Sequence, residues 1–120
     1  MSARGRQALD RLKAFALALP GAFEDNPWGD EPVIKVGKKI FVFMGPAEKP
    51  TVAVKLPDSA DQALDTPGAV PTGYGLGRSG WVTTPVGPGG APRGVVEDWI
   101  EESYRTIAPK KLVAELDAAP

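Results

Sequence analysis

Two short hydrophobic runs flank a glycine–lysine turn at residues 32–44, and this stretch restricts the fold more than any other part of the sequence. Its valines, isoleucines and phenylalanines favour the pleated, half-buried surface of a β-strand. Gly37 can adopt a positive φ at no steric cost, as the first central residue of a type II′ turn requires, and Lys38 takes the second central position. The sequence therefore predicts a hairpin with a two-residue loop.

The loop also fixes the expected register of this hairpin. Side chains alternate between the two faces of a strand, so every second residue lies on the same side. The predicted pairs are Val36 with Lys39, Lys35 with Ile40 and Ile34 with Phe41. The face expected to enter the core carries Ile34, Val36, Phe41 and Phe43. The opposite, mixed face carries Val33, Lys35, Ile40 and Val42.

The rest of the chain predicts an α+β domain, with an antiparallel sheet and helices packed on one face. Apolar residues recur at helical spacing near both ends of the chain and alternate between them. A capping box from Ser59 to Gln62 marks the start of a short central helix. Helices are expected over residues 8–19, 59–65 and 95–107, and after Pro109. Further strands are expected at 22–27, as a weak edge strand, and at 51–56 and 81–84, with residues 66–80 mostly in a loop.

Length and composition suit one domain that spans residues 1–120. The chain is 42% hydrophobic and 24% charged, with a net charge of −1. No overall positive field would attract nucleic acid, so any such binding needs a local basic patch. Charged residues interrupt the apolar stretch between Leu9 and Leu19, which argues against a signal peptide or a membrane span there. We expect a cytoplasmic protein that makes no contact with a membrane.

The sequence contains neither histidine nor cysteine. These residues most often serve as general base, thiolate nucleophile or transition-metal ligand. We therefore expect no enzymatic activity, no cofactor and no tight metal site. Ser103 has no histidine to activate it, and we expect it to be buried together with Trp99 and Tyr104.

Acidic residues form two clusters with different expected roles. The first is a weak candidate for a hard cation, which needs several converging oxygens; it comprises Glu24, Asp25, Asp30 and Glu31. The second is expected to be a solvated helix face, with an ion pair between Glu101 and Arg105 one turn apart; it comprises Glu97, Asp98, Glu101 and Glu102.

Four lysines could form a basic patch if the strands that carry them are neighbours in the sheet. Lys38 and Lys39 lie at the hairpin tip, and Lys35 and Lys55 would project from one sheet face. Lysines that neutralise phosphates release counterions, which drives binding to any nucleic acid. The alternative is that these lysines only solubilise the turn and protect a strand edge.

The segment from Gly75 to Gly80 matches the pattern G-x-G-x-x-G. A dinucleotide site needs a strand before this pattern and a helix after it, whereas here a strand follows, so we expect the match to be accidental. We interpret the segment instead as a wing that presents Arg78 beside Trp81. Trp81 could stack on a base, although a tryptophan in a strand more often packs in the core.

Several short motifs follow one another along the chain: Leu19-Pro20-Gly21, Pro27-Trp28-Gly29, Lys35-Val36-Gly37-Lys38-Lys39-Ile40-Phe41, Val54-Lys55-Leu56, Tyr74 through Gly80-Trp81-Val82-Thr83, and Ser103-Tyr104. Their order and spacing resemble those of the MmcQ/YjbR family over residues 9–116. The resemblance implies a compact α+β domain related to CyaY, the frataxin-like shape, and a DNA-binding role through a "double wing". A frataxin-like protein would bind iron through acidic residues mainly of its first helix and first strand, but the first helix of this chain carries Arg6, Arg11 and Lys13.

Two functions from different classes remain open at this point. The first is a non-enzymatic module that binds double-stranded DNA weakly, as a monomer. Its expected contact residues are Lys35, Lys38, Lys39, Lys55, Arg78 and Trp81. The second is a protein-interaction or small-ligand-binding module with no nucleic-acid role, which the near-neutral net charge favours.

Overall fold

The structure is a computed structural model that describes residues 3–27, 29 and 31–119. The helices in this part of the chain are α1 (Ala3–Leu17), α2 (Ala60–Leu64), α3 (Arg93–Ile107) and α4 (Lys110–Ala118). The strands are β1 (Ala22–Asp25), β2 (Val33–Val36), β3 (Lys39–Met44), β4 (Thr51–Lys55), β5 (Val70–Pro71) and β6 (Trp81–Pro85). A 3₁₀ turn spans Leu76–Ser79, just before β6.

All the strands join in one antiparallel sheet in the order β1-β2-β3-β4-β6-β5. The helices α1 and α3 pack against each other and against β3, and side chains from α2 and α4 join the same core. The structure therefore confirms the predicted α+β fold with helices on one face of an antiparallel sheet.

One face of the sheet carries a core of aliphatic side chains that neighbouring strands contribute in register. A row of such residues runs across the sheet through Ile34, Val42, Val54 and Val82, all of which are buried. Trp99 and Tyr104 of α3 are buried against this face, as predicted. The Tyr104 hydroxyl donates to the carbonyl of Pro20 at 2.6 Å, which fixes α3 to the turn between α1 and β1.

The hairpin turn forms where the sequence predicts it. Gly37 has a φ of 63°, and Lys38 keeps a negative φ, which is the combination of a type II′ turn. A Cβ atom on Gly37 would meet nothing within 4 Å, so glycine is favoured here by backbone conformation and not by space. Val36 pairs with Lys39 and Lys35 pairs with Ile40, as predicted.

A β-bulge in β3 then changes the register, and here the prediction was wrong. Ile34 pairs with Val42 and Val33 pairs with Phe43, which leaves Phe41 as the extra residue. Phe41 and Val42 both enter the helix-covered core, whereas Phe43 lies on the other face. The bulge reverses the alternation of side chains beyond it, so the predicted faces of Val42 and Phe43 are exchanged.

The second face of the sheet has no helix over it in the part of the chain that the structure describes. Phe43 and Trp81 pack there edge-on, with ring centroids 5.3 Å apart. β5 and the 3₁₀ turn lie beside β6, within the stretch predicted as mostly loop. Phe23 on the edge strand β1 remains 45% exposed. We call this surface the open face.

Two predictions about the short helices need correction. Ser59 makes no side-chain cap bond at the start of α2, so the capping box does not form. The Glu102 carboxylate of α3 accepts the backbone N–H groups of Asp58 and Ser59 at 2.9 and 3.1 Å, and the Ser59 hydroxyl donates to it at 2.6 Å. The predicted apolar face of α4 is only half-buried; it comprises Leu112, Val113 and Leu116.

The first helix begins at Ala3, earlier than predicted, because the charged residues before Ala8 continue its helical turns. None of the helices in residues 3–27 and 31–119 is long and apolar enough to cross a membrane.

Candidate nucleic-acid interface

The hairpin tip between β2 and β3 presents two lysines to solvent. Lys38 and Lys39 are both exposed, and neither has an ion pair among those of the described residues. Gly37 lets the chain reverse within two residues, so Lys38 lies in the turn itself and Lys39 begins β3. The tip therefore presents accessible positive charge to solvent.

Lys55 ends β4, and a serine from α3 holds its backbone. The regular pairing of β3 and β4 stops at Val42 and Val54, where the bulge begins. The buried Ser103 hydroxyl continues the connection by accepting the N–H of Lys55 at 3.0 Å and donating to the carbonyl of Phe41 at 2.6 Å. Ser103 is thus buried as expected, and it joins the two strands beside the hairpin tip.

Arg78 lies in the 3₁₀ turn that leads into β6, where it is exposed. Gly75 and Gly80 flank the turn with φ values of 79° and 88°. The turn is followed by a strand and not by a helix, which agrees with the interpretation of G-x-G-x-x-G as an accidental match. The turn thus places Arg78 in the chain three residues before the first residue of β6.

Sheet register brings these residues to one end of the sheet, which we call the basic end; it comprises Lys38, Lys39, Lys55 and Arg78. Val42, Val54 and Val82 lie side by side on β3, β4 and β6. From this row, the start of β3, the end of β4 and the start of β6 all point the same way, because neighbouring strands are antiparallel. β3 and β6 are two strand spacings apart, or about 10 Å. Lys39 and Lys55 therefore lie at the same end of the sheet, and the turns that carry Lys38 and Arg78 adjoin that end.

Carboxylates border the basic end on its helix side. Asp58, Asp98 and Glu101 line a shallow depression there together with Arg105. Arg105 bonds to Glu101 at 2.9 Å, as the sequence predicts, and also to Asp117 at 2.7 Å. A polyanion would therefore meet less repulsion if it approached from the open face than from the helices.

Lys35 lies on the open face but is engaged with a neighbouring strand. Its ammonium group is 2.8 Å from the carboxylate of Asp25 on β1. This hydrogen bond, together with the backbone N–H of Asn26, holds the pKa of Asp25 below its usual value. A phosphate would have to compete with this carboxylate, so Lys35 is a weaker contact than the lysines of the tip.

Trp81 pairs with Lys55 across β4 and β6 but offers little of its ring to solvent. It is 7% exposed and lies edge-on against Phe43. This burial favours the packing role that the sequence also allows, and leaves little surface for stacking on a base. A nucleic-acid contact by Trp81 stays a prediction.

The first acidic cluster is divided between two ion pairs. Glu24 lies 3.4 Å from Lys13, and Asp25 is paired with Lys35. Asp30 of this cluster lies outside the described residues, and so does Trp28 of the Pro27-Trp28-Gly29 motif. Within residues 3–27, 29 and 31–119, no group of three acidic residues is placed to hold a metal ion.

Sequence reasoning missed the two α3 residues that position this site. Ser103 and Glu102 act on segments more than 40 residues earlier in the chain, and no local pattern marks such contacts. The only signal was indirect: a serine at a buried position of an apolar helix stripe needs hydrogen-bond partners from another element.

Comparison with protein-family models matches the chain to the YjbR family over residues 17–106. A comparison with curated proteins finds no match. The matched residues run from the end of α1 to the end of α3 and include all the strands described above. They also include the four residues of the basic end, and they make up well over half of the sequence. The chain therefore belongs to the YjbR family.

Proposed function

We propose that this protein binds double-stranded DNA weakly, without catalysing a reaction, through the basic end of its sheet. Lys38 and Lys39 form one part of the contact surface, and Lys55 and Arg78 form the other. The observation that supports the proposal is the sheet register, in which the start of β3, the end of β4 and the start of β6 lie at the same end of the sheet. The DNA-binding role implied by the resemblance to this family is consistent with a nucleic-acid partner.

The charges of the chain favour weak binding with little sequence preference. Lysine acts as a point charge on phosphate, and such contacts position a protein on DNA without reading bases. The acidic border formed by Asp58, Asp98 and Glu101 limits the number of phosphates that can approach. The glycines around Arg78 supply no side chains that could reach base edges.

A non-enzymatic role is supported by the state of Ser103, the buried serine beside this surface. The Ser103 hydroxyl is buried and both accepts and donates a hydrogen bond to backbone groups. Without a histidine or cysteine anywhere in the sequence, the usual groups for nucleophilic or general-base catalysis are missing.

The first prediction concerns the affinity for a fluorescently labelled duplex, measured by anisotropy at 50 and 200 mM salt. Each neutralised phosphate contributes about −0.9 to the slope of log affinity against log salt, so about three or four contacts predict a loss of roughly 40- to 150-fold across this range. The double variant Lys38→Glu, Lys39→Glu should lose most of the binding and keep its fold, because both side chains are exposed on a turn.

The matched control carries the same change in charge at the other end of the sheet. Arg6→Glu, Lys49→Glu alters two exposed residues, one on α1 and one in the loop between β3 and β4. Its affinity for the duplex should be within about threefold of that of the parent, because only the overall charge of the protein changes. Equal losses in both double variants would mean that net charge and not this surface attracts DNA, and no binding by the parent at 50 mM salt would overturn the proposal.

A further inference from the structure

A groove on the open face of the sheet lies apart from the basic end. It encloses about 840 Å³, within the range of about 300–1,000 Å³ usual for small-molecule sites. Phe43, Ala53 and Thr83 of the central strands line it, while Tyr74 and Leu76 contribute from the segment between β5 and β6. The lining is mostly apolar, as such sites usually are.

Tyr74 is in an unusual conformation where it borders this groove. Its φ is 60°, and among the described residues it is the one non-glycine residue with a positive φ. Its side chain is fully exposed, although tyrosine rings normally gain stability from burial. A bulky residue in the left-handed region is uncommon, and backbone strain of this kind is concentrated at ligand and switch sites. The ring is thus held in water beside an apolar cavity.

The polar groups of the groove favour a positive ligand. Glu31 is the one charged residue among the described residues that line it. Two hydroxyls, from Thr72 and Thr83, lie 2.9 Å apart and supply neutral hydrogen-bonding groups. Since no lysine or arginine lines this part of the structure, an anion would find repulsion from Glu31 and no compensating charge.

We propose that the groove binds a small organic cation, an aromatic or apolar ring that bears an ammonium group. The ring would pack on Phe43 and Ala53, Tyr74 would close over it, and the ammonium group would lie near Glu31. Aromatic rings pack favourably on one another and the carboxylate attracts the ammonium group, so the two rings and Glu31 favour the same ligand. This site uses none of the four residues of the basic end, so it goes beyond DNA binding and can succeed or fail separately.

The test compares three probes that share one ring and differ in charge: tryptamine, indole and indole-3-propionate. Amide chemical shifts of the ¹⁵N-labelled protein are followed during titration to about 10 mM, since a ligand of this size is expected to bind with a Kd on the order of 1 mM. Shifts should concentrate at Phe43, Ala53, Tyr74 and Thr83. Tryptamine should bind more tightly than indole, and indole more tightly than indole-3-propionate.

Two variants separate the parts of the site. Glu31→Gln should weaken tryptamine by about threefold and leave indole unchanged, as expected for loss of one exposed charge pair. Tyr74→Gly removes the ring and relieves the strained φ, so it should fold at least as well as the parent and bind all three probes more weakly. Gly94→Ala changes an exposed position of α3 outside the groove, where an added Cβ would meet nothing within 4 Å, and serves as the control.

Each other outcome would overturn the proposal. Equal binding of the three probes would leave an apolar groove without preference for a cation. The titration ends at a probe concentration of 10 mM, about ten times the expected Kd. If the amide shifts of these residues have not changed by then, the groove holds no such ligand. Shifts that depend on protein concentration without any probe would assign the groove to a second copy of the chain.

Discussion

The two faces of the sheet differ in the contacts that stabilise their side chains. On the helix-covered face, aliphatic residues from four strands lie in one row and are buried by α1 and α3. On the open face, stability comes from pairs across strands, such as the Phe43–Trp81 ring contact and the Lys35–Asp25 ion pair. The covered face holds the fold together, while the open face and the sheet end beside it retain groups that can meet a ligand.

The bulge at Phe41 links these two faces. It turns two consecutive residues into the core and sends Phe43 to the open face, where it lines the groove. It also interrupts the pairing of β3 with β4 beside the basic end, and Ser103 supplies the missing connection. One inserted residue therefore affects the core, the groove and the proposed DNA surface.

The largest expected effect compares the same substitution on each face. Phe41 is fully buried and packs edge-on against Tyr104 with centroids 5.3 Å apart. Phe41→Ala should reduce the free energy of unfolding by about 3–5 kcal/mol, the usual cost of such a cavity. Phe43→Ala should cost less, because Phe43 is only half-buried and its side of the sheet can admit water. Urea denaturation of both variants measures the difference.

Phe23→Ala serves as the control for this pair, since Phe23 is 45% exposed at the sheet edge and should change stability by about 0.5 kcal/mol or less. Equal costs at Phe41 and Phe43 would mean that the open face is packed as tightly as the covered one. The comparison between the faces would then be wrong.

A smaller effect is expected where α3 connects the strands at the bulge. Ser103→Ala leaves the N–H of Lys55 and the carbonyl of Phe41 without their partner in a buried place, at a cost of about 1–3 kcal/mol. The amide of Lys55 should also exchange with deuterium faster than its neighbours in β4. Hydrogen exchange measured by NMR therefore distinguishes loss of this link from general destabilisation.

Ser79→Ala, at an exposed position of the 3₁₀ turn, provides the matched serine control. If Ser103→Ala destabilised the protein but left the exchange of Lys55 unchanged relative to β4, Ser103 would contribute only packing. The strand-joining role would then have to be abandoned.

Local patterns were sufficient to predict the hairpin turn, the strands β4 and β6 and the packing of helices on one face of the sheet. The turn depends on Gly37 alone, and regular alternation from Thr51 to Lys55 assigns the faces of β4. The bulge could not be predicted because residues 40–44 are all apolar. Such a run is compatible with the pairing with or without an extra residue. Phe43 was placed on the wrong face for this reason.

The residues of the candidate site could be predicted from the sequence, but their ion pairs and hydrogen bonds to other segments could not. The exposed lysines of the tip follow from the turn, whereas the pairing of Lys35 with Asp25 depends on how β1 aligns with β2. Glu102 caps α2 from 43 residues away, which a capping box read from sequence cannot anticipate. Tyr74 carries no signal in the sequence, because nothing about a tyrosine beside glycines indicates a positive φ.

The smallest expected effect concerns the ion pair on the open face. Lys35 lowers the pKa of Asp25 below its usual value of 3.8 in the folded protein, so the charged carboxylate is favoured by folding. Its contribution to stability is therefore fully present above about pH 4 and is lost as the pH falls through the lowered pKa. Asp25→Asn should be slightly less stable than the parent at neutral pH, and this difference should vanish in acid. Because the pair is exposed, 1 M salt should reduce the difference as well.

Lys35→Gln should return the pKa of Asp25 toward its usual value, and NMR of the Asp25 side-chain carboxyl measures this change. An unchanged titration of Asp25 in this variant would assign the lowered pKa to the backbone N–H of Asn26 instead, and Lys35 would then be as available to phosphate as the lysines of the tip.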